Sequence, residues 1–346
     1  MNAATDNRAA RDEYYGRIAP RHLTPLWEQM SALVPEQPRS PAVPYLLRYD
    51  DVRPALLQSG ALITAREAVR RVLILENPGL AGSSAVTQAL YAGLQLILPG
   101  EVASSHRHTQ TALRLIVEGD GAYTAVDGER ATMHRGDFII TPGWTWHDHG
   151  SNAREPVVWL DGLDIPLVRF FDCGFAENLG ADTQPVVRPE GDALARYGAT
   201  LMPLDYEPRH AASPLFAYPY DRSRETLHRL ARSGGPDACH GYKLQFTNPA
   251  TGGPAMPTIG AFIQLLPAGF AGTGYRSTDG TVFHVIDGRG ECHLDDRSFS
   301  FGPRDTFVVP GWTRHRLQAS EDAVLFSFSD RPVQRALALW REQREC

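Results

Sequence analysis

The sequence predicts an all-β protein built from two related antiparallel barrels, with a helical N-terminal arm and a C-terminal helix. The first observation is an internal repeat, because residues 137–147, DFIITPGWTWH, return as residues 305–315, DTFVVPGWTRH. A shorter echo agrees with it, since LIVEGDG at 115–121 returns as HVIDGRG at 284–290. Short apolar runs separated by Gly-rich and Pro-Gly turns are typical of strands in such barrels. A repeat at this spacing indicates duplication of one barrel.

Length and composition bound the possible functions. A chain of 346 residues is long enough for about two domains, and 42% hydrophobic with 21% charged residues allows a sizeable core. The net charge of −6 argues against a nucleic-acid partner. No apolar run reaches membrane-spanning length, and the N-terminus lacks a signal-peptide core. The four scattered cysteines fit reduced thiols, so we expect a cytoplasmic protein without a membrane partner.

Residues 1–88 are expected to form a helical arm followed by a segment that lines a pocket. Apolar residues recur at helical spacing over 8–18 and 23–34, and 38–44 is typical of an extended linker. Another short helix is predicted from Tyr49 to near Gly60. Such an arm most often packs across a barrel or onto a neighbouring subunit, so we expect a homo-oligomer.

The first barrel, residues 89–170, carries a histidine pattern that suits a metal. His106 and His108 alternate on a predicted strand, so both imidazoles leave the same face. His147 follows the turn at Pro142-Gly143, and an antiparallel barrel can bring it back beside the first two. Three neutral imidazoles make a metal site with open coordination positions. The alternative is that these are ordinary core or surface histidines.

Further strands are predicted at 113–117, 138–141 and 157–161, and residues 165–171 are expected to continue the last of these. Residues 171–257 are interpreted as a connecting segment. Within it, the proline-rich residues 184–220 are expected to have little regular structure, and 223–233 are expected to form a helix capped by Ser223. The second barrel is assigned to 258–330. The amphipathic pattern from Pro332 to Glu345 predicts a C-terminal helix within 331–346.

The second barrel has lost the ligand pattern. When Gly119 is aligned with Gly288, Tyr275 falls opposite His106 and Ser277 falls opposite His108, so that His315 alone remains. One histidine cannot hold a metal tightly. We therefore expect one metal per chain, in the first barrel.

These motifs resemble the two cupin motifs. The first is represented by Gly100, His106, His108 and Gly119, and the second by Gly136, Pro142 and His147, with Gly143 one place early. Where cupins usually offer a glutamate ligand, this chain has Ala112 or Leu113. The resemblance therefore implies a bicupin, two double-stranded β-helix barrels, with three histidine ligands and no carboxylate.

Residues 64–79 and the strand at 90–98 narrow the resemblance to gentisate 1,2-dioxygenase and its salicylate and 1-hydroxy-2-naphthoate dioxygenase relatives. The family implies Fe(II) held by His106, His108 and His147, with a small aromatic acid and O2 as substrates. It places substrate contacts at Arg66, Arg70, Arg114, Gln95, Tyr91 and Gly93, and catalytic roles at His149, Asp161 and Arg114.

The residue types themselves support part of what the resemblance implies. Arg114 lies six positions after His108 and interrupts an apolar strand, so on a regular strand it shares the ligands' face. An arginine inside a barrel is costly unless it meets an anion, and its guanidinium suits a carboxylate. For Arg66 and Arg70 a solvated helix face remains the alternative, and for His149 a surface or supporting position.

The resemblance implies cleavage of gentisate between its carboxyl- and hydroxyl-bearing carbons to give maleylpyruvate, in aromatic catabolism, by a homotetramer. Salicylate or 1-hydroxy-2-naphthoate cleavage is the alternative within the family, and a metal-dependent cupin isomerase or a non-catalytic binding protein lies outside it. Tyr91 favours gentisate, because relatives that handle salicylate carry a tryptophan near that position, whereas Gly93 is expected to leave extra room. The identity of the metal and of the acid or base stays open.

Overall fold

The computed structural model describes residues 7–199 and 201–345. Its contacts divide the chain into two compact units, one up to Arg39 and the other from Ser40 onward. The first unit contains α1 (Arg8–Ile18), which begins and ends where the sequence predicts, and α2 (Leu26–Leu33), which begins later than predicted. Pro25 precedes α2 with extended backbone, which explains the later start. Neither helix contains a buried residue.

The second unit contains both barrels. The segment before the first barrel forms β1 (Tyr45–Leu47), α3 (Tyr49–Leu62), α4 (Ala65–Ala68) and β2 (Val72–Ile74). The first barrel continues with β3 (Tyr91–Ile97), β4 (Val102–His108), β5 (Ala112–Glu118), β6 (Ala122–Val126), β7 (Glu129–Thr132), β8 (Phe138–Thr141), β9 (His147–Ser151) and β10 (Val157–Leu163).

The connection and the second barrel follow. The connection contains α5 (Ile165–Phe170), β11 (Ala176–Asn178), α6 (Asp192–Tyr197), β12 (Ala217–Tyr218) and α7 (Tyr220–Ser233). The second barrel contains β13 (Tyr242–Gln245), β14 (Gly260–Leu266), β15 (Tyr275–Ser277), β16 (Thr281–Asp287), β17 (Gly290–Leu294), β18 (Ser298–Phe301), β19 (Thr306–Val309), β20 (His315–Ala319) and β21 (Ala323–Ser329). The chain then forms α8 (Arg331–Ala336) and β22 (Glu342–Arg344).

Each barrel consists of a six-stranded and a five-stranded antiparallel sheet. The first barrel has the orders β12-β8-β5-β10-β3-β2 and β11-β4-β9-β6-β7, and the second has β1-β19-β16-β21-β14-β13 and β18-β17-β20-β15-β22. The predicted all-β, two-barrel fold is therefore confirmed. The register confirms the duplication as well, because His106 pairs with His147 and Tyr275 pairs with His315 at the same place in the two barrels.

One continuous core joins the barrels. Strands of both six-stranded sheets contribute to it, including Leu113 and Leu160 from the first barrel and Phe326 and Phe328 from the second. The sheets approach so closely at Gly162 that an added Cβ would lie 2.8 Å from the ring of Phe328. A second cluster of buried apolar residues lies within the second barrel.

The residues from Tyr45 to Leu62, here called the linking segment, contact both barrels. Its strand β1 pairs with β19 of the second barrel, and the backbone N–H of Tyr49 donates to Asp305 Oδ1 at 3.0 Å. Its helix α3 packs on β3 of the first barrel. Arg53 of this helix forms an ion pair with Glu118 of β5, with 2.6 Å between Nη2 and Oε1. The linking segment therefore ties the two barrels together.

The predicted C-terminal helix is present but much shorter than the Pro332–Glu345 pattern indicated. It ends at Ala336, Ala338 then adopts a positive φ of 58°, and β22 pairs with the edge strand β15. Sheet pairing thus overrides the helical periodicity. The prediction of a helix over 332–345 was wrong in extent.

Two local predictions in the connection also need correction. Residues 165–170 form a helix rather than a strand, and Pro166 in its first turn suits a helix start because its φ is preset and it needs no N–H partner. Ser223 is not a cap, since α7 begins at Tyr220 and the Ser223 hydroxyl donates to the carbonyl of Pro219 at 3.2 Å. The connection also supplies β11 and β12 to the first barrel. Within the described residues, no helix is long and apolar enough to cross a membrane.

Candidate metal centre and active site

Three histidine rings meet inside the first barrel. His106 and His108 leave the same face of β4, and His147 begins the neighbouring strand β9, directly opposite His106. Ring centroids lie 4.3 Å apart for His106 and His147, 4.8 Å for His108 and His147, and 5.3 Å for His106 and His108. One nitrogen from each ring lies within 4.8 Å of the others, an arrangement found nowhere else in residues 7–199 and 201–345 for groups of three possible ligands.

Backbone carbonyls orient each ring. Nδ1 lies 3.2 Å from the carbonyl oxygen of Ser104 in His106, 2.8 Å from that of Gln110 in His108, and 3.0 Å from that of Thr145 in His147. A carbonyl only accepts, so these contacts favour the proton on Nδ1 of His108 and His147 and leave their Nε2 atoms free to bind a metal. At His106 a second group competes for Nδ1. The Nε2 atom of His147 is buried and has no partner in the structure. These residues therefore fit a metal ion.

Burial also keeps the rings neutral. It lowers the pKa of His106 to about 3 and that of His108 to about 4, and it holds the pKa of His147 well below its usual value. Nearby arginines add to each shift. A metal ligand must be deprotonated, so these histidines are in the required form at neutral pH. Ala112 and Leu113 are buried strand residues without ligand atoms, so the described centre is three histidines without a carboxylate.

Arg70 touches the same centre. Its Nη2 lies 2.9 Å from the Ser104 carbonyl and 2.5 Å from His106 Nδ1. A guanidinium only donates, so this close approach competes with a proton on Nδ1. The tautomer that leaves Nε2 free for a metal therefore requires Arg70 to move off the ring. The backbone before it is unusual, since Val69 has a φ of 57° and the Arg70 N–H bonds to Ala68 in a tight turn.

A wall of polar residues faces the barrel interior beside the histidines. On β3, Tyr91, Gly93 and Gln95 alternate, which places them on one face of the sheet. Gly93 lies directly opposite Asp161 on β10, and Asp161 lies directly opposite Arg114 on β5. The register thus puts all five predicted positions on one wall.

Arg114 is the buried cation of this wall. Its Nη1 donates to Thr141 Oγ1 at 2.6 Å, its Nε lies 3.5 Å from Asp161 Oδ1, and that Nε has no hydrogen-bond partner in the structure. Burial raises the pKa of Asp161 to about 6, although Arg114 and the Trp159 N–H, which donates to Oδ1 at 3.1 Å, oppose the shift. Burial lowers the pKa of Arg114. The guanidinium keeps unused donor capacity for an anionic ligand.

His149 lies deeper in the same barrel. Its ring centroid is 5.9 Å from that of His147, and its Nδ1 lies 2.9 Å from Thr124 Oγ1. Its Nε2 is buried without a partner, and burial holds its pKa well below the usual value. A neutral imidazole with an unused nitrogen can accept a proton.

Sequence reasoning missed the residues that support the site, which are Thr141, Thr124 and Trp159. Thr141 could not be singled out from the sequence, because every residue of β8 is buried and the strand shows no alternation of buried and exposed positions. Thr124 becomes visible once the register is known, since it pairs directly with His149.

The expected extra room at Gly93 is absent. A Cβ added there would lie 2.4 Å from Val72 Cγ1 and 2.8 Å from the Tyr91 hydroxyl oxygen. Val72 and Tyr91 therefore fill the space, and that expectation was wrong. Burial raises the pKa of Tyr91, so its hydroxyl stays protonated and can donate.

Arg66 is exposed on α4, which packs beside β4. Within the described chain it forms no hydrogen bond or ion pair with the ligand histidines, so its contact with substrate stays a prediction. Arg71, one residue after Arg70, does not face the histidines, because it forms a buried ion pair with Glu101, with 2.7 Å between Nη2 and Oε1.

Residues 93–163 and 262–328 match the family model described as Cupin domain. Together with the three-histidine centre in one barrel, these matches define the class as a bicupin with a metal site in its first barrel. The chain is 53% identical to gentisate 1,2 dioxygenase 1 of Aquipseudomonas alcaligenes over 334 residues, 96% of each chain.

Solved structures agree with this likeness. Salicylate 1,2-dioxygenase from Pseudoaminobacter salicylatoxidans, as adducts with gentisate, matches with a TM-score of 0.91 at 33% identity, covering 100% of this chain and 96% of that chain. A tryptophan-to-tyrosine variant of that enzyme in complex with gentisate matches with a TM-score of 0.92 at 34% identity, covering 100% and 97%. The chain belongs to the gentisate 1,2-dioxygenase family of ring-cleaving dioxygenases, and it is an enzyme.

Proposed function

We propose that the chain is an Fe(II)-dependent dioxygenase that cleaves gentisate between its carboxyl- and hydroxyl-bearing carbons to give maleylpyruvate, in the catabolism of aromatic compounds. The observation that carries this proposal is the position of Arg114. A buried guanidinium with unused donor capacity stands on the wall beside three neutral histidines. That combination suits an aromatic acid whose carboxylate is bound next to a metal.

The metal assignment follows from the ligand set. Three imidazoles without a carboxylate leave open positions on a divalent ion, and Fe(II) bound there would supply the electron-transfer chemistry that O2 needs to react with an aromatic ring. Zinc prefers a four-coordinate site and cannot exchange electrons. The histidines contribute by staying neutral and by being fixed through their Nδ1 contacts.

Residues of the wall divide the remaining tasks. Arg114 binds the substrate carboxylate. Arg70, whose Nη2 lies 2.5 Å from His106 Nδ1, shares that charge once it moves off the ring. Arg66 is proposed as a further contact at the entrance. His149 and Asp161 hold or move the proton of a ring hydroxyl, and Gln95 and Tyr91 supply further polar contacts.

Gentisate is preferred over salicylate for two reasons. The second hydroxyl of gentisate raises the electron density of the ring. Tyr91 offers a hydroxyl group for a hydrogen bond at a position where relatives that handle salicylate carry a bulkier tryptophan. The relative with 53% identity is named for gentisate. The salicylate enzyme is solved with gentisate both without substitution and as the tryptophan-to-tyrosine variant. Val72 and Tyr91 close the space over Gly93, which leaves less room for a two-ring acid.

The test is anaerobic reconstitution with Fe(II), followed by O2 uptake on gentisate, salicylate and 1-hydroxy-2-naphthoate with one preparation. We expect the highest kcat/KM with gentisate and one ring-opened oxo-diacid per O2. The Zn(II)-loaded chain is the control and should consume no O2. Salicylate turnover equal to that of gentisate would overturn the specificity, and O2 uptake without ring opening would overturn the reaction.

We also propose a cytoplasmic homo-oligomer, a tetramer by family likeness. Three described cysteines, Cys173, Cys239 and Cys292, carry free thiols, as a reducing compartment requires. The apolar side chains of α2, among them Leu26, Met30 and Leu33, are exposed and suit contact with another subunit. Light scattering of the iron-loaded protein measures the oligomer, and a monomeric mass would contradict it.

A further inference from the structure

The second barrel carries a lysine at an interior-facing position of one strand. The sequence has 34 lysines and arginines, and Lys243 is its only lysine. Lys243 lies on β13 directly opposite Gln264, as Val72 lies opposite Gln95 in the first barrel. Lys243 therefore occupies the interior-facing position that an apolar residue fills in the other barrel.

The ammonium group of Lys243 lacks a counterion. Its Nζ lies 5.0 Å from the ring centroid of Phe262 and 5.4 Å from that of Phe283, and it forms no hydrogen bond or ion pair with any described residue. Burial lowers the pKa of Lys243 to about 7. An arginine would remain charged there, whereas a lysine can change its charge near neutral pH.

Two more polar groups of the same wall lack partners. Gln264 Oε1 and Ser327 Oγ are fully buried and have no hydrogen-bond partner in the structure. Ser327 lies opposite Phe262 and Phe283, so it shares the interior face with them and with Lys243. In the first barrel the corresponding positions are Gln95 and Asp161. Buried polar atoms are normally satisfied, so these point to a ligand that supplies donors and a negative charge.

Aromatic and imidazole rings lie close together in the second barrel. The ring of His240 lies 4.4 Å from that of Tyr275, which in turn lies 5.7 Å from that of His315. A cavity of about 270 Å³ opens beside Lys243, and Asp237, His240 and Tyr242 line it as well. Burial lowers the pKa of both histidines, so they are neutral. The other charged groups nearby are already paired, as Arg331 with Asp279 and Arg344 with Asp237.

We propose that the interior of the second barrel is a binding site for a small hydroxylated aromatic carboxylic acid. Lys243 binds the carboxylate, and Phe262 and Phe283 flank the ring. Gln264 Oε1 accepts a hydrogen bond from the hydroxyl group, and the Ser327 hydroxyl donates one to the same oxygen. The second barrel lacks the three-histidine centre, so it binds this acid without cleaving it. The site does not depend on the proposed reaction, because none of its residues belongs to the first barrel.

The single lysine makes a direct test available. Protein labelled with [ε-15N]lysine gives one side-chain signal. The probe is salicylate, added at pH 7 to the His108→Ala/Arg114→Ala variant, so that the first barrel lacks both a metal ligand and its partner for a carboxylate. We expect the Lys243 signal to shift in a saturable way with one salicylate per chain. Its apparent pKa should rise, because a bound carboxylate favours the charged amine.

Substitution completes the test. Lys243→Met should weaken salicylate binding at least tenfold by calorimetry, while Arg229→Met, at an exposed pair on α7, should leave it unchanged. Benzoate, which lacks the hydroxyl, should bind more weakly than salicylate. Iron content and O2 uptake in the otherwise unaltered chain verify that Lys243→Met folds. If the lysine signal is unmoved by saturating salicylate, or if Lys243→Met binds salicylate as well as its parent, the second barrel is not an acid site.

Discussion

Arg114 carries a positive charge inside the first barrel with one hydroxyl and one carboxylate beside it. Replacing it by alanine leaves both Asp161 and a bound substrate carboxylate without a cationic partner. The loss of a buried charge partner is about 2–5 kcal/mol. Arg114→Ala should therefore lower kcat/KM for gentisate by a factor of about 30 to several thousand. Steady-state O2 uptake with the iron-loaded variant measures it.

Arg114→Lys separates charge from shape. It keeps the charge but loses the planar fork, so we expect an intermediate kcat/KM. Arg229→Ala, at an exposed position, serves as the control for loss of a surface arginine. If Arg114→Ala matched that control, Arg114 would have no contact with the substrate.

Asp161 gives the site a pH dependence. Burial raises its pKa to about 6 in the folded chain, against about 3.9 when unfolded. The folded state therefore binds more protons between about pH 4 and 6, and the Asp161 contribution to stability falls as the pH rises through that window. Asp161→Asn should remove this slope. Urea unfolding of the metal-free wild type and variant from pH 4 to 7 measures it.

The two curves will also differ by a constant offset, because an amide and a protonated carboxyl group form different hydrogen bonds. Only the change with pH tests the assignment. Parallel curves across pH 4 to 6 would show that Asp161 titrates at its ordinary value.

At the scale of elements, β2 packs tightly against β3 at Gly93, where the side chain of Val72 covers the glycine. The clash of an added Cβ with Val72 Cγ1, at 2.4 Å, makes Gly93→Ala an overpacking change that should cost about 1–3 kcal/mol. Val72→Ala removes the clashing methyl, so the double variant should recover part of that loss. Thermal unfolding of both single variants and the double variant gives the coupling between the two positions. Strict additivity would mean that Tyr91, and not Val72, sets the space.

Elements differ in how far sequence alone predicts them. The alternation of His106 and His108 and the turn before His147 were sufficient for the centre, because each depends on local periodicity. The partners of Arg114 and His149 were not, because Thr141 and Thr124 reach them only through register between strands. The same reason explains why residues 342–344 form a strand. Their pairing with β15 overrides a helical pattern of about a dozen residues. Periodicity is local, whereas pairing is decided by distant residues.

At the scale of the molecule, the duplicated barrels provide a matched pair of histidines. His147 and His315 occupy the same position in the two barrels, since His147 pairs with His106 and His315 pairs with Tyr275. In the second barrel Tyr275 and Ser277 replace the other two ligands. His147→Ala should lose both bound iron and turnover, whereas His315→Ala should retain both. Metal analysis after gel filtration should give one iron per wild-type chain. Two tightly bound ions, or loss of iron in His315→Ala, would contradict the division between barrels.

The linking segment has a consequence for how the chain matures. Tyr45 pairs with Val308, roughly 260 residues later, so β1 leaves the ribosome long before β19 exists. At about 5–20 residues per second, the interval is on the order of 13 to 50 s. During that interval the first barrel can close while its attached strand has no sheet to join. β1 can therefore join its sheet only after β19 has been made, so the linking segment is synthesised early and completes its contacts late.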